Sequence, residues 1–76
     1  MKYSVGDILK LKYKYTDIYD RSGNVESHEI GEYFIIFSEI YKDDMLAGDF
    51  VILSQKTKSI TEWYNHNIDY SFEKVK

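Results

Sequence analysis

The stretch from Gly48 to Tyr64 constrains the fold most strongly, because it has the pattern of a β-hairpin. Its first arm, Phe50 to Leu53, is a short apolar run that is typical of a strand buried on both faces. A polar stretch from Ser54 to Ser59 follows and predicts the turn. The second arm alternates from Ile60 to Tyr64, and we expect the single tryptophan, Trp63, to face the core.

The second arm also fits a short helix. Ser59 to Glu62 has the capping-box pattern, and the apolar residues from Ile60 to Ile68 recur at roughly helical spacing. We expect the strand, because this segment lacks alanine, leucine and lysine and is rich in residues that form helices poorly. After Tyr64, residues 65–71 are too polar for a strand and predict a single helical turn.

Three further segments predict strands around this hairpin. Ile8 to Thr16 alternates and predicts one long, half-buried strand. Gly31 to Tyr41 is apolar on both faces and predicts a central strand. Phe72 to Val75 predicts a short closing strand. In the first of these strands, one face is expected to carry Leu9, Leu11, Tyr13 and Tyr15, and the other Lys10, Lys12 and Lys14.

The polar segment from Asp17 to Glu29 has a strong turn signal at residues 20–24. It is either part of a long hairpin, with Val25 to Ile30 as the returning arm, or a protruding loop. Loops on a rigid scaffold often carry function, so this segment is one candidate recognition surface. Residues 42–48 predict a connection that turns at Asp43 and Asp44.

Together these segments predict one all-β domain over residues 1–76: a small, strongly bent, five-stranded barrel with one late helical turn. The chain has no cysteine, which is consistent with a reducing cytoplasm. We see no signal peptide and no run of membrane-spanning length. Because so short a chain builds only a modest core, oligomerisation would help to stabilise it.

The order of these elements resembles small Src-homology-3-like barrels. The residues that carry the resemblance are Val5-Gly6-Asp7 before the first strand, Trp63, and the short turn into Phe72-Glu-Lys-Val75. More narrowly, the combination is similar to short uncharacterised proteins encoded by bacteriophages and mobile elements of Gram-positive bacteria. The resemblance implies a phage or prophage accessory protein that acts by binding, for example by inhibiting a host defence system. It brings no catalytic residue with it.

The sequence gives little support for enzyme chemistry. His28 and His66 lie among polar residues and are expected at the surface, although His66, Asp69 and Glu73 are one conceivable ligand trio. No serine lies in a nucleophile elbow, and the glycines are isolated and form no phosphate loop. We therefore expect no enzyme activity, cofactor or metal.

The first functional hypothesis is a cytoplasmic protein-interaction module that inhibits a host protein in a bacterial cell. Many tyrosines and a net charge of -3 favour it over nucleic-acid binding. The candidate partner-binding residues are aromatic or acidic: Tyr13, Tyr15, Tyr19, Glu39, Tyr41, Asp43, Asp44 and Tyr64.

Two alternatives remain open. The first is a barrel that binds nucleic acid through its cationic side chains, namely Lys10, Lys12, Lys14, Arg21, Lys56 and Lys58. The second is a homo-oligomeric protein that sequesters a small ligand such as a signalling nucleotide. Arg21, Tyr19 and Trp63 are available to supply hydrogen-bond donors and an aromatic clamp for the ligand.

Overall fold

The structure is a computed structural model that describes residues 3–40 and 49–75. Its strands are β1 (Ile8–Leu11), β2 (Tyr15–Tyr19), β3 (Val25–His28), β4 (Tyr33–Glu39), β5 (Phe50–Ser54), β6 (Ile60–Trp63) and β7 (Phe72–Lys74). One helix, α1 (Asn65–Ser71), lies between β6 and β7. The protein is therefore mostly β, as its sequence predicts.

Five of these strands form one antiparallel sheet in the order β6-β5-β4-β1-β7, and β2 and β3 form a separate hairpin. The described residues thus hold seven strands, where the sequence predicts five. They lie in two sheets, and no continuous ladder of strands closes these sheets into a barrel. The tip of the hairpin meets β6, at the edge of the large sheet, where the Arg21 amide donates to the carbonyl of Ile60 at 2.9 Å and the Arg21 side chain pairs with Glu62.

The predicted hairpin over Gly48–Tyr64 is confirmed for its described part. β5 and β6 pair antiparallel, with Phe50 opposite Trp63 and Leu53 opposite Ile60. The alternative helix is wrong at its beginning, because residues 60–63 are a strand and α1 starts only at Asn65. Trp63 is buried, as expected, and its indole N–H donates to the Thr61 hydroxyl at 2.7 Å.

The long first strand predicted over residues 8–16 is wrong. β1 ends at Leu11, and β2 begins at Tyr15 in the other sheet. Leu9 and Leu11 are buried as predicted, but Tyr13 is 45% exposed. The last bond of β1 to its neighbour lies here, where the amide of Lys12 donates to the carbonyl of Ser71, at the end of α1, over 2.8 Å.

Of the two alternatives for the segment Asp17–Glu29, a hairpin and a protruding loop, the structure shows the hairpin. Its arms are β2 and β3. Its turn is held by Asp20, whose carboxylate accepts the amides of Ser22 and Asn24 at 2.9 Å. Gly23 has a φ of 88°, a conformation that glycine adopts without steric cost.

The core fills the space between the hairpin and the large sheet. Its members are Tyr3, Leu9, Leu11, Ile18, Phe34, Ile36, Phe50, Ile52, Trp63, Ile68 and Phe72, with Tyr15 packed against them. The central strand is confirmed, because β4 lies between β5 and β1. The predicted helical turn and closing strand are α1 and β7. Within the described residues, no helix has the length and apolar character needed to cross a membrane.

Candidate interaction surface

The residues that connect β1 to β2 are fastened to α1. The ammonium of Lys12 donates to the carbonyl of Asp69 at 3.2 Å, in addition to the backbone bond with Ser71. The hydroxyls of Tyr15 and Ser71 are hydrogen-bonded at 2.5 Å. The Tyr3 hydroxyl also donates to the Asp69 carboxylate. The contacts of Lys12 and Tyr15 hold the connection in one position over the helix.

An exposed pair of stacked tyrosines results from this arrangement. The rings of Tyr13 and Tyr70 lie 5.2 Å apart between centroids, at an interplanar angle of 21°. Tyr13 is 45% exposed and Tyr70 is 66% exposed. We call these two residues the tyrosine pair. Each ring offers apolar area and a hydroxyl at its tip, which is the chemistry that interface cores favour.

A second stacked pair lies at the other end of α1. Tyr64 and His66 stack at 5.8 Å between ring centroids, at an angle of 16°, and both are exposed. The helix between the two pairs is fixed by Ile68, which is fully buried, and by its first amide, because Asn65 N–H donates to the Asp49 carboxylate at 2.7 Å. α1 therefore presents an exposed aromatic pair at each of its ends.

The charges near the tyrosine pair are of both signs. Lys12 and Asp69 are both exposed beside Tyr70. Lys14 forms an ion pair with Glu29 at 3.6 Å, with both side chains exposed. A surface of this kind has no excess of positive charge of the sort that nucleic-acid phosphates attract.

The structure places the predicted site residues in different surroundings. Tyr13 and Tyr64 are exposed at the two ends of α1. Tyr15 is half-buried and packs edge-on against Trp63 at 6.1 Å, so most of its ring belongs to the core. Tyr19 is 65% exposed on the hairpin, and Glu39 is exposed at the end of β4. Three further predicted residues lie outside the described residues: Tyr41, Asp43 and Asp44.

Tyr70 was not among the predicted site residues. Its signal in the sequence is weak: a tyrosine next to Ser71 in a polar helical turn, two residues after the buried Ile68. Stacking with Tyr13, which is distant in the chain, makes Tyr70 part of a surface. This contact depends on the break between β1 and β2, which the sequence pattern did not predict.

The residues proposed to sequester a small ligand do not converge. Tyr19 and Arg21 line an open cleft of about 300 Å³ together with Asp20 and Glu62. Arg21 is already paired with Glu62 at 2.8 Å. Trp63 is instead buried against Tyr15 and Phe72 and does not line this cleft. The cleft is polar, whereas small-molecule sites are mostly apolar.

The proposed nucleic-acid-binding cations are also dispersed. Lys10 lies on β1 and Lys12 beyond its end, so they do not form the single strand face that the sequence predicts. Lys56 contacts the Glu32 carboxylate at 3.6 Å, and Arg21 and Lys14 are paired as described. Acidic groups therefore accompany several of these cations.

The prediction that His28 lies at the surface is wrong. Its side chain is fully buried on β3, edge-on to Phe34 at 5.1 Å between ring centroids. Nδ1 lies 2.8 Å from the Glu32 carboxylate, and Nε2 lies 3.9 Å from the Glu26 carboxylate. His66 is exposed. Among the described residues, no three histidine or acidic side chains are grouped so as to hold a metal ion.

Comparison with known proteins found no matching family model, no matching curated protein and no matching solved structure.

Proposed function

We propose that this chain is a non-enzymatic protein-interaction module that binds a host protein through the surface around α1. The observation that carries the proposal is the tyrosine pair: two stacked rings that remain exposed although the segments that bear them are fixed by hydrogen bonds. Stacking shields one face of each ring and leaves the other faces and both hydroxyls available to a partner.

The energetics of association favour such a pair as an anchor. Ordering a flexible side chain on binding costs about 0.5–1.5 kcal/mol, and stacked rings have already lost much of this freedom. Buried tyrosines are also frequent among the few interface residues that dominate affinity. Tyr64 and His66 extend the surface along α1, and the exposed Lys12 and Asp69 supply a polar rim.

The resemblance to phage and mobile-element proteins supports a specific setting. We propose an Src-homology-3-like barrel that acts in the cytoplasm of a bacterial host and inhibits a defence protein by occupying its working surface. The late Trp63, the helix α1 and the short closing strand β7 support this fold. A net charge of -3 suits a target with a basic nucleic-acid channel.

A pull-down from a Gram-positive bacterial lysate tests this function. The bait is the tagged chain, and the experiment is run with and without nuclease. We expect a stoichiometric protein partner that survives nuclease treatment. The double variant Tyr13→Ala and Tyr70→Ala is expected to lose at least about tenfold in affinity for it.

Val25→Ala is the matched control, because Val25 is 54% exposed and lies opposite Tyr19, at the other end of the hairpin from Tyr15, which bonds to α1. Retained binding by the double tyrosine variant would reject this surface. Recovery of nucleic acid, or loss of the partner on nuclease treatment, would reject the protein-interaction function in favour of nucleic-acid binding. An empty pull-down would also count against it and would direct attention to small ligands.

A further inference from the structure

The outer face of the five-stranded sheet carries an unbroken apolar row. Ile60 lies opposite Leu53, Leu53 opposite Ile35, and Ile35 opposite Ile8. The row continues to Val75, directly after β7, because the amide of Val75 donates to the carbonyl of Ile8 at 2.8 Å. All of these side chains face away from the core. We call them the outer row.

The outer row is accessible to solvent. Val75 is 50% exposed, and the other four members are partly exposed. Two larger side chains flank Ile35 on β4: Tyr33, two residues before it, is 46% exposed, and Phe37, two residues after it, is 55% exposed. The register shift between Ile36 and Ser38 lies at Phe37. The solvent-facing side of an antiparallel sheet is normally polar, so this face is unusually apolar.

The charges on this face lie beside the row and not in it. Lys10 and Glu73 are direct neighbours on β1 and β7, at the level of Tyr33. Glu62, on β6, is paired with Arg21. The face is therefore close to neutral, although the whole chain carries a charge of -3. A contiguous apolar patch with a polar rim is typical of an interaction site.

We propose that a second copy of this chain covers the outer row, so that the protein forms a symmetric dimer with the two sheets stacked face to face. Stacked sheets lie about 10 Å apart, and a two-fold axis brings the same patch of each copy together. The face suits this occupant because its apolar row crosses all five strands and can lie against its own copy.

The positions around Ile35 make the face complementary to itself. With the two-fold axis along the outer row, Tyr33 of one copy lies against the partner's Phe37, because both are two residues from Ile35 on opposite sides. Lys10 and Glu73 then face the partner's Phe37 side, and not their own counterparts. Among the residues that the structure describes, no like charges are opposed across this interface.

The size of the face predicts a weak dimer. Five strands about 4.8 Å apart and the span from Tyr33 to Phe37 give a surface of about 19 by 13 Å. This is small against the roughly 800 Å² per partner that a standard stable interface buries. We therefore expect a reversible dimer with a dissociation constant in the micromolar range or weaker.

Sedimentation equilibrium over a range of about 5 μM to 1 mM tests the proposal at the expected affinity. We expect the average mass to rise from that of one chain towards that of two. Phe37→Lys, and separately Ile35→Thr, should weaken the dimer by about tenfold or more. Val25→Lys is the control, because it adds the same charge as Phe37→Lys at an apolar site of nearly equal exposure, 54% against 55%, outside the five-stranded sheet. Circular dichroism confirms that each variant is folded.

A monomer at 1 mM would overturn the proposal, and so would a dimer that Phe37→Lys and Ile35→Thr leave unchanged. Amide NMR spectra at several dilutions provide a second measurement on the unmodified chain. Concentration-dependent shifts are expected on β4, β1 and β5. Shifts confined to α1 would assign any dimer to the tyrosine pair and would reject the outer row.

Discussion

His28 lies in the interior between Glu26 and Glu32, and only Glu32 forms a hydrogen bond with its ring. Nδ1 and the Glu32 carboxylate are 2.8 Å apart, so Nδ1–H donates to Glu32. The other ring nitrogen, Nε2, lies 3.9 Å from the nearer carboxylate oxygen of Glu26, too far for a hydrogen bond. Nε2 and the Oε2 atom of Glu26 are both buried without a hydrogen-bond partner. Buried polar atoms without a hydrogen-bond partner cost stability.

Replacing Glu26 by glutamine should therefore stabilise the protein. The amide of the new side chain can donate to Nε2 of His28 and removes a carboxylate from a buried position. We expect the free energy of unfolding to rise by about 1–2 kcal/mol. Urea denaturation measures this change. Glu29→Gln is the control, because Glu29 is exposed and the charge change is the same. A less stable Glu26→Gln protein would contradict the proposed hydrogen bond from the new amide to Nε2.

The lowered pKa of Glu32 predicts how the free energy of unfolding changes with pH in the acid range. Burial raises the pKa of its carboxyl, but hydrogen bonds from His28 and from the amide of Glu29, with the charges of His28 and Lys56, lower the pKa below its usual value overall. The unfolded chain then binds the proton more readily than the folded one. The stabilisation is present above the ordinary glutamate pKa of about 4.3 and is lost as the pH falls through the lowered folded value.

We expect Glu32→Gln to be less stable than the natural chain at neutral pH, and to lose less of its stability between about pH 5 and pH 2. Urea denaturation at a series of pH values measures both quantities. The matched control is again Glu29→Gln, which leaves the His28 contact in place. An unchanged acid dependence in Glu32→Gln would show that other carboxylates are responsible.

The turn between β5 and β6 contains one strained residue. Lys58 has a φ of 63°, a left-handed conformation that costs energy for side chains other than glycine and asparagine. Lys58→Gly should raise the free energy of unfolding by about 0.5–1 kcal/mol, despite the greater freedom of glycine in the unfolded chain. Gln55→Gly, at an exposed position of the same turn without a positive φ, is the control and should destabilise the protein. Thermal unfolding compares the two variants, and a loss of stability in both would contradict the argument.

The elements whose patterns are local were predictable. β4, β5 and β6 were recognised because their apolar runs and alternation need no distant partner. The break after β1 was not, because Lys12 and Tyr13 continue the alternation of Leu9 and Leu11 without interruption. The signal that ends β1 is distant: Lys12 and Tyr15 bond to residues of α1 more than fifty positions away. Long-range contacts of this kind override local pattern.

The burial of His28 also depends on contacts that are not local in the sequence. Its neighbours in the sequence are polar, and only pairing with β2 turns the side chain towards Phe34. The candidate site was found in part for the same reason. Tyr13 and Tyr64 could be selected as aromatic residues with a polar tip, whereas Tyr70 becomes part of the surface only through its contact with Tyr13.

At the scale of the whole molecule, the two proposed surfaces lie on different sides of the fold. α1 buries Ile68 in the core, on the inner side of the large sheet, and the outer row faces away from that core. A dimer formed through the outer row would leave both tyrosine pairs free. Each dimer would then present two binding surfaces, which raises apparent affinity for a partner that is itself multivalent.

The net charge predicts how the dimer responds to salt. Each copy carries -3, so two copies repel each other, while the outer row itself is apolar and close to neutral. Raising the ionic strength from about 0.01 M to about 1 M shortens the screening length from about 30 Å to about 3 Å and removes this repulsion. We expect the dimer to become tighter, as measured by sedimentation at each salt concentration. A dimer that weakens with salt would be held by opposite charges, such as Lys10 and Glu73, and the apolar row would not be its main contact.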